Sequence, residues 1–328
     1  MAGSGRKAVD SASSVLLADI GGTNARFAIL EDGKLGCVAA VQVADFASPE
    51  DALRAYLAKE ALGHAPEAAA IAAAGPVIEG KVALTNASWT VDGASLREAL
   101  RLRSAAVVND FAALAWSLPA LGASDVRAIG RGSPVAGAPT AVLGPGTGFG
   151  IAVLLREAGR ESVLVGEGGH ATLAGESRRE DAVIDALRAV FGHLSLERVL
   201  SGDGLGHLYD AVAALDGIAA PKRTAAEIVA RALSGGCIAS ARALELFCAF
   251  LGSVAGNVAL TFGARGGVHI GGGMVPHFAE YLARSPFRER FEAKGRMRGY
   301  LAAIPTRVIM HPHPAFLGLE RFLNARGT

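Results

Sequence analysis

The sequence predicts an α/β protein built as two lobes around a cleft, and three observations carry that prediction. Its 328 residues are long for one compact core and comfortable for two lobes. Short buried-type apolar runs alternate with segments of helical period. A strand, a glycine-rich turn and a returning strand stand near the start of each half, at 14–31 and at 140–155. The repetition is one of architecture and has no short period. No low-complexity linker separates the halves, so the division follows the motifs. It gives a small α/β domain over 1–118, completed by 312–328, and a large α/β domain over 119–311. Pro119, Pro312 and Pro314 end regular elements where the chain would cross between them.

Residues 1–14 are small and polar and read as a loose arm. Residues 14–19 (SVLLAD) form a buried-type strand that stops at Gly21-Gly22, and 26–31 (RFAILE) return as a hairpin. Residues 51–62 carry Leu53, Leu57 and Ala61 at four-residue spacing, one face of a helix. Residues 69–74 and 82–85 are strand-like. Residues 105–108 make a further buried strand that ends at Asn109-Asp110, and a helix follows through Trp116, before Pro119. In the second half, 140–143 lead into the glycine turn 144–150 and 151–155 return from it. Ser177-Arg178-Arg179-Glu180 matches a capping box and opens a helix carrying Val183, Leu187 and Val190. Leu244, Phe247, Leu251, Val254 and Val258 mark a long helix that is apolar nearly all round, hence buried. A strand at 267–270 feeds Gly271-Gly272-Gly273.

Composition removes several classes of function. Apolar residues make up 51% and charged residues 19%, a balance that fills a large core and excludes a disordered chain. A net charge of +1 with interspersed signs offers no surface for nucleic acid or anionic membrane. The clusters at 101–103 and 288–290 read as solvated faces. Cys37, Cys237 and Cys248 are far apart and form no C-x-x-C pair, which argues against a disulfide framework or a zinc ribbon. They read as small buried hydrophobes in a reducing compartment. The N-terminal residues have no apolar signal-peptide core, and the longest apolar run, 68–78, is broken by Gly75 and Pro76. That run is shorter than the roughly 18 residues of a membrane span. The expectation is a soluble, cytoplasmic protein without membrane or nucleic-acid partners.

Five strings carry chemistry. In the first, Asp19 precedes Gly21, Gly22, Thr23 and Asn24, with Arg26 beyond. Glycines with φ > 0 let the backbone approach a ligand, successive N–H groups make an anion site, and an adjacent acid suits Mg²⁺ held through water. An isolated G-G would be an ordinary hairpin turn; the eight-residue string is more specific. It has no P-loop lysine. The second string holds Gly144, Gly146, Thr147, Gly148 and Gly150 after a strand and forms another phosphate cradle. A strand follows it where a dinucleotide fold would have a helix. In the third, Asn109-Asp110 ends a buried strand, where an aspartate can act as general base or as a helix N-cap. Spacing alone favours the cap. The fourth sets Glu167 and His170 among glycines, on a loop where both can reach one polar ligand. The fifth runs from Glu197 to Gly202, and Glu197 alone reads as a solvated helix charge. The other histidines, His64 among them, share no metal-site spacing.

Taken in order, LLADIGGTNARFAIL, VVNDFAAL, LGPGTGFGIAVL, GEGGHATL, LERVLSGDGL and GGVHIGGGMVP resemble the bacterial glucokinase family, of the hexokinase/actin-like (ribonuclease H-like) fold. The resemblance runs from about Val15 to about Gly318. It implies an active site in the interlobe cleft and transfer of the γ-phosphoryl group of ATP to the 6-hydroxyl of glucose, a step of glycolysis. By position it implies Asn109 and Asp110 at the sugar, with Asp110 the catalytic base, and Glu167, His170 and Glu197 on sugar hydroxyls. Gly21, Gly22, Thr23, Asn24, Gly144, Gly146, Thr147 and Gly148 would hold ATP phosphates, Gly271, Gly272 and Gly273 would approach adenosine, and Asp19 would stand near Mg²⁺. A homodimer is also implied. The alternatives are a kinase for another hexose or an amino sugar, and a sugar-sensing protein without catalysis. The last is disfavoured because Asp110 is present and no helix-turn-helix is appended.

Overall fold

The computed structural model describes residues 14–60, 65–84 and 87–326. The expected arm, apart from Ser14, lies outside the described residues, as do Ala61, Leu62, His64 and Thr85. The chain divides into two units, residues 1–113 with 315–328, and residues 114–314.

The first unit contains β1 (Val15–Ile20), β2 (Asn24–Glu31), β3 (Lys34–Leu35), β4 (Ala39–Gln42), β5 (Ala68–Ala73), β6 (Lys81–Ala83), β7 (Thr90–Asp92) and β8 (Ser104–Asn109). One sheet runs β3-β2-β1-β5-β8 with β4 also on β2, and β6 pairs with β7. β1 is antiparallel to β2 and parallel to β5, which is parallel to β8. A strand inside such a sheet is covered on both faces and reads as a continuous apolar run. That is why β5 is AAAIAA and buried throughout. Helix α1 (Pro49–Lys59) starts on Ser48, whose side chain accepts from Asp51 N at 3.1 Å, with Pro49 in the first turn. Then come α2 (Gly93–Ala99), α3 (Asp110–Ser117), which runs on into the second unit, and the C-terminal helix Pro314–Arg326. Phe27, Leu53, Ile71 and Trp89 fill the core, and the Trp89 indole N–H is satisfied by Phe46 O at 3.0 Å.

The second unit repeats the arrangement. β9 (Val126–Ala128), β10 (Thr140–Pro145), β11 (Phe149–Glu157), β12 (Arg160–Gly166), β13 (Gly267–Ile270) and β14 (Thr306–Ile309) form a sheet in the order β12-β11-β10-β13-β14-β9. β10 is antiparallel to β11 and parallel to β13, which is parallel to β14. The run β2-β1-β5-β8 thus has its counterpart in β11-β10-β13-β14, the architectural symmetry expected from the two glycine hairpins. Helices α4 (Arg178–Phe191), α5 (Gly202–Leu215), α6 (Ala225–Leu233) and α7 (Ile238–Phe262) follow, then the short α8 (Ala279–Arg284), α9 (Phe287–Glu292) and α10 (Arg298–Ala302). α7 has the length and apolarity of a membrane span, but 78% of its most apolar window is buried inside the protein. It is the core helix that its all-round apolar pattern predicted. Phe247, Phe250 and Leu251 are wholly enclosed, at about 1.5–3 kcal/mol for each such side chain.

Three expectations are corrected. Arg288 and Arg290 are not on a solvated face; each side chain is 16% exposed. Arg288 donates to the carbonyls of Leu301, Ala302 and Ile304 and to Glu292, closing the C-terminal end of α10. Arg290 forks onto Glu180 at 2.7 and 2.9 Å. That pairing dissolves the second half of the expected capping box. Ser177 Oγ accepts from Glu180 N at 3.2 Å, but the Glu180 carboxylate turns to Glu176 N and Arg290. A buried carboxylate finds more in a bidentate guanidinium than in one backbone amide. The cysteines also differ: Cys248 is buried, Cys237 half-buried and Cys37 exposed.

Candidate functional site

In the first unit the β1–β2 hairpin turns at Gly21-Gly22-Thr23, closed by Gly21 N donating to Asn24 O at 2.9 Å. Thr23 O accepts from Val43 N, and Asn24 Oδ1 from Gln42 Nε2 at 2.7 Å, so β4 braces the turn from outside. Thr23 itself is exposed. Neither glycine has positive φ, contrary to expectation; their use is to leave the turn bare of side chains. Antiparallel register sets Arg26 directly opposite Asp19, with Nη1 3.6 Å from Oδ2. Burial pushes the Asp19 carboxyl above its ordinary value and the Arg26 charge pulls it back.

These residues fit Mg²⁺. Asp19 is a hard oxygen donor that burial makes costly to ionise alone, so a further cation is favoured beside it. Among the described residues no cluster of three metal-ligating side chains exists. One carboxylate, with waters and substrate phosphates completing the shell, is the Mg²⁺ pattern rather than that of an all-protein cage.

At the end of β8, the two readings of Asn109-Asp110 divide between the neighbours. Asn109 is the cap: its Oδ1 accepts from Ala112 N at 3.1 Å and its Nδ2 donates to Gly75 O at 3.0 Å. Asp110 is the first residue of α3, and its Oδ1 accepts from Phe111 N at 2.9 Å. The carboxylate is thus fixed at the positive end of a helix by a frame that Asn109 holds.

The second unit assembles the other strings. The β10–β11 hairpin turns at 146–148, with Gly146 N donating to Gly148 O at 2.8 Å. The glycine turn after β13 lies against it. A Cβ on Gly144 would collide with the Gly271 carbonyl, and Gly272, at φ +88°, would drive one into the Pro145 carbonyl. Gly146 and Gly273, by contrast, face open space. Gly146 O also accepts from Gly202 N at 3.1 Å, which joins the head of α5 to the hairpin.

Glu197 is no solvated helix charge. Its Oε2 accepts from Phe149 N at 2.9 Å, and its own N donates to Gly169 O at 2.9 Å. A Cβ on Gly148 would displace that carboxylate. Glu197 therefore ties the second glycine hairpin to the Gly168–His170 turn. On that turn Glu167 and His170 sit three apart, exposed by 51% and 61%, with Oε2 and Nε2 4.0 Å apart. Sequence reading missed Arg26 as the partner of Asp19, a pairing that counting the hairpin register would have found. It also missed the Phe149 amide and the Gly75 carbonyl, whose roles depend on contacts far along the chain.

The Glucokinase family model matches residues 16–326. The chain is similar to a glucokinase of Paramagnetospirillum magneticum, at 48% identity over 93% of this chain and 96% of that protein. Among solved structures it is similar to a glucokinase from an Antarctic psychrotroph, at 38% identity and a TM-score of 0.83, covering 95% of this chain and 99% of that one. It shares its fold with a ROK family glucokinase from Streptomyces griseus in complex with glucose and AMPPNP. There the TM-score is 0.67 and the identity 20%, over 96% of this chain and all of that one.

Proposed function

Because the chain belongs to the glucokinase family, we propose that its reaction, transfer of the γ-phosphoryl group of ATP to the 6-hydroxyl of glucose, is run with Asp110 as general base. The observation that carries this is the seat of Asp110: a carboxylate at the head of α3, held through one oxygen by the Phe111 amide, with Asn109 serving the cap. As the hydroxyl oxygen attacks phosphorus its proton must leave, and a fixed carboxylate accepts it. Such a base contributes on the order of 10²–10⁴-fold.

Glu167, His170 and Glu197 take other sugar hydroxyls. Glu197 keeps Oε1 for this, since the Phe149 amide uses Oε2. Asn109 has one Nδ2 hydrogen left after its bond to Gly75 O, enough for a single hydroxyl. Hydrogen bonds to charged groups of this kind contribute about 1.5–3 kcal/mol each, and a substrate lacking the hydroxyl leaves the carboxylate unpaired. The phosphates of ATP lie on the bare backbone at Gly21, Gly22, Thr23 and Asn24 and at Gly144, Gly146, Thr147 and Gly148, and adenosine lies by Gly271, Gly272 and Gly273. Mg²⁺ would be held by Asp19, and it would neutralise charge on the β- and γ-phosphates. ATP as donor is supported by the glucose and AMPPNP complex of the Streptomyces griseus protein. A homodimer and a cytoplasmic location belong to the same reading.

A coupled assay with ATP and a panel of sugars tests the function. Glucose is expected to give the highest kcat/KM. A higher value for another hexose or an amino sugar would move the assignment to that sugar. Binding of glucose without turnover would make the protein a sensor.

A further inference from the structure

Arg198, the residue after Glu197, is gripped at both polar atoms of its backbone and at its side chain. Its N donates to Ser195 Oγ at 3.3 Å, and Ser195 is buried. Its carbonyl oxygen lies 2.9 Å from His207 Nδ1. Its guanidinium stands 4.8 Å from the centre of the Phe191 ring. The His207 ring packs on the same phenyl, with centroids 4.7 Å apart and planes at 54°. A carbonyl oxygen only accepts, so Nδ1 of His207 carries the hydrogen in this bond. His207 is half-buried in the second turn of α5, between Leu205 and Leu208, which are wholly enclosed. The donor therefore stands on a rigid element. Glu197 is tied on its other side to the glycine hairpin and its neighbour turn, through Phe149 N on Oε2 and Gly169 O on its own N. With Oε2 engaged, the direction of Oε1 follows from how the backbone at 197–198 is held.

We infer that His207 is a positioning residue for glucose: by holding the Arg198 carbonyl against α5, it aims Oε1 of Glu197 at the sugar. This rests on the assignment of Glu197 to a glucose hydroxyl. His207 acts through Glu197 and needs no contact with either substrate. A contact group must be held within a fraction of an ångström by the residues behind it, and a displacement of about 1 Å can cost on the order of 10²-fold in rate. Without the His207 bond, the turn from Glu197 to α5 keeps its ties to the hairpin, including Gly202 N on Gly146 O, and loses the one that fixes it from behind. The consequence falls on the sugar contact more than on the phosphate cradle.

The test is steady-state kinetics on the full-length protein, varying glucose at saturating ATP and ATP at saturating glucose, with each variant's melting curve recorded. His207→Phe keeps a ring against Phe191 and removes the donor. It should raise the KM for glucose on the order of fivefold, the scale of one hydrogen bond, and the KM for ATP by less. His207→Asn places an amide Nδ2 where Nδ1 stands and should bring the glucose KM back close to that of the unaltered protein. His207→Gln carries the same amide one carbon further out, misses the carbonyl and should behave as His207→Phe does; it replaces that variant if the second phenyl ring disturbs folding. In a Glu197→Gln background, His207→Phe should add less than it does alone, because both changes act on one contact. An unchanged glucose KM, equal rises in the two KM values, a loss that His207→Asn does not recover, or strict additivity with Glu197→Gln would each overturn the inference. If Glu197→Gln itself leaves the glucose KM unchanged, the assignment of Glu197 fails and the inference falls with it. A glucose effect of Glu197→Gln with none from His207→Phe or His207→Gln overturns the inference alone.

Discussion

In the first glycine hairpin, a methyl group added at Gly21 would meet a single carbonyl, Asn24 O, at 3.4 Å, an ordinary contact. In the second, a methyl at Gly144 would strike the Gly271 backbone, and one at Gly272 would strike Pro145 in a backbone conformation that side chains rarely adopt. The two hairpins have the same outline in sequence, and their glycines answer different neighbours. In the second unit most are needed because protein presses on protein. In the first, Gly21 has room for a methyl group. Glycine content therefore reports close approach without saying by what; Gly146 and Gly273 are open, and Gly21 has one ordinary contact. These are where ATP is proposed to approach.

Substitution should separate the two kinds of glycine. The largest effect is expected from Gly272→Ala and Gly144→Ala, which force backbone apart in the core of the second unit. Each should lower unfolding free energy by roughly 3 kcal/mol or more in denaturant melts, enough to reduce soluble protein. Acid should act on the same unit. His269 lies on β13 beside this turn, and burial, helped by Arg307, holds its imidazole down to about 4. The unfolded chain takes up this proton near pH 6.5 and the folded chain does not until about 4, so between those values the unfolded state binds more protons and stability falls as pH falls. The loss is on the order of 3 kcal/mol across the window. His269→Gln should flatten that part of the stability profile, and an unchanged slope would show that His269 is not its source.

Glu197→Gln is a smaller change with two readouts. Loss of charge weakens the bond to the Phe149 amide by about 1 kcal/mol. The KM for glucose should rise more than the KM for ATP. Equal rises would mean that Glu197 serves only to fasten the hairpin. Smallest in stability, within about 0.5 kcal/mol, should be Gly21→Ala, Gly146→Ala and Gly273→Ala. Each should raise the KM for ATP, and if it leaves ATP use intact these positions are not where the nucleotide lies.

The same contrast explains what could be read in advance. The hairpins, the buried β5, and α7 were legible because each rests on a local pattern: an apolar run, a turn, or a helical period; β8, expected to be buried, is half-buried along its whole length because it ends the sheet and has a strand on one side only. Gly267–Ile270 matches its expected bounds. The sequence offers Asn109-Asp110 both as cap and as base, and only the structure shows that Asn109 takes the cap. What could not be read were partners far along the chain. Arg290 meets Glu180 across 110 positions, which turned an expected solvated cluster and an expected capping box into one buried ion pair. Glu197 meets Phe149 across 48 positions, so a surface charge became a brace. Charged residues carry no period, and their sequence neighbours do not name their partners.

The central claim is that Asp110 takes the proton. Asp110→Asn keeps the shape of the side chain and removes its capacity as a base. With folding verified by an unchanged melting curve, steady-state kinetics with ATP and glucose should show kcat lowered by a factor on the order of 10²–10⁴, with only a modest rise in the KM for glucose. A folded Asp110→Asn protein that turns over glucose at a near-normal rate would contradict the account.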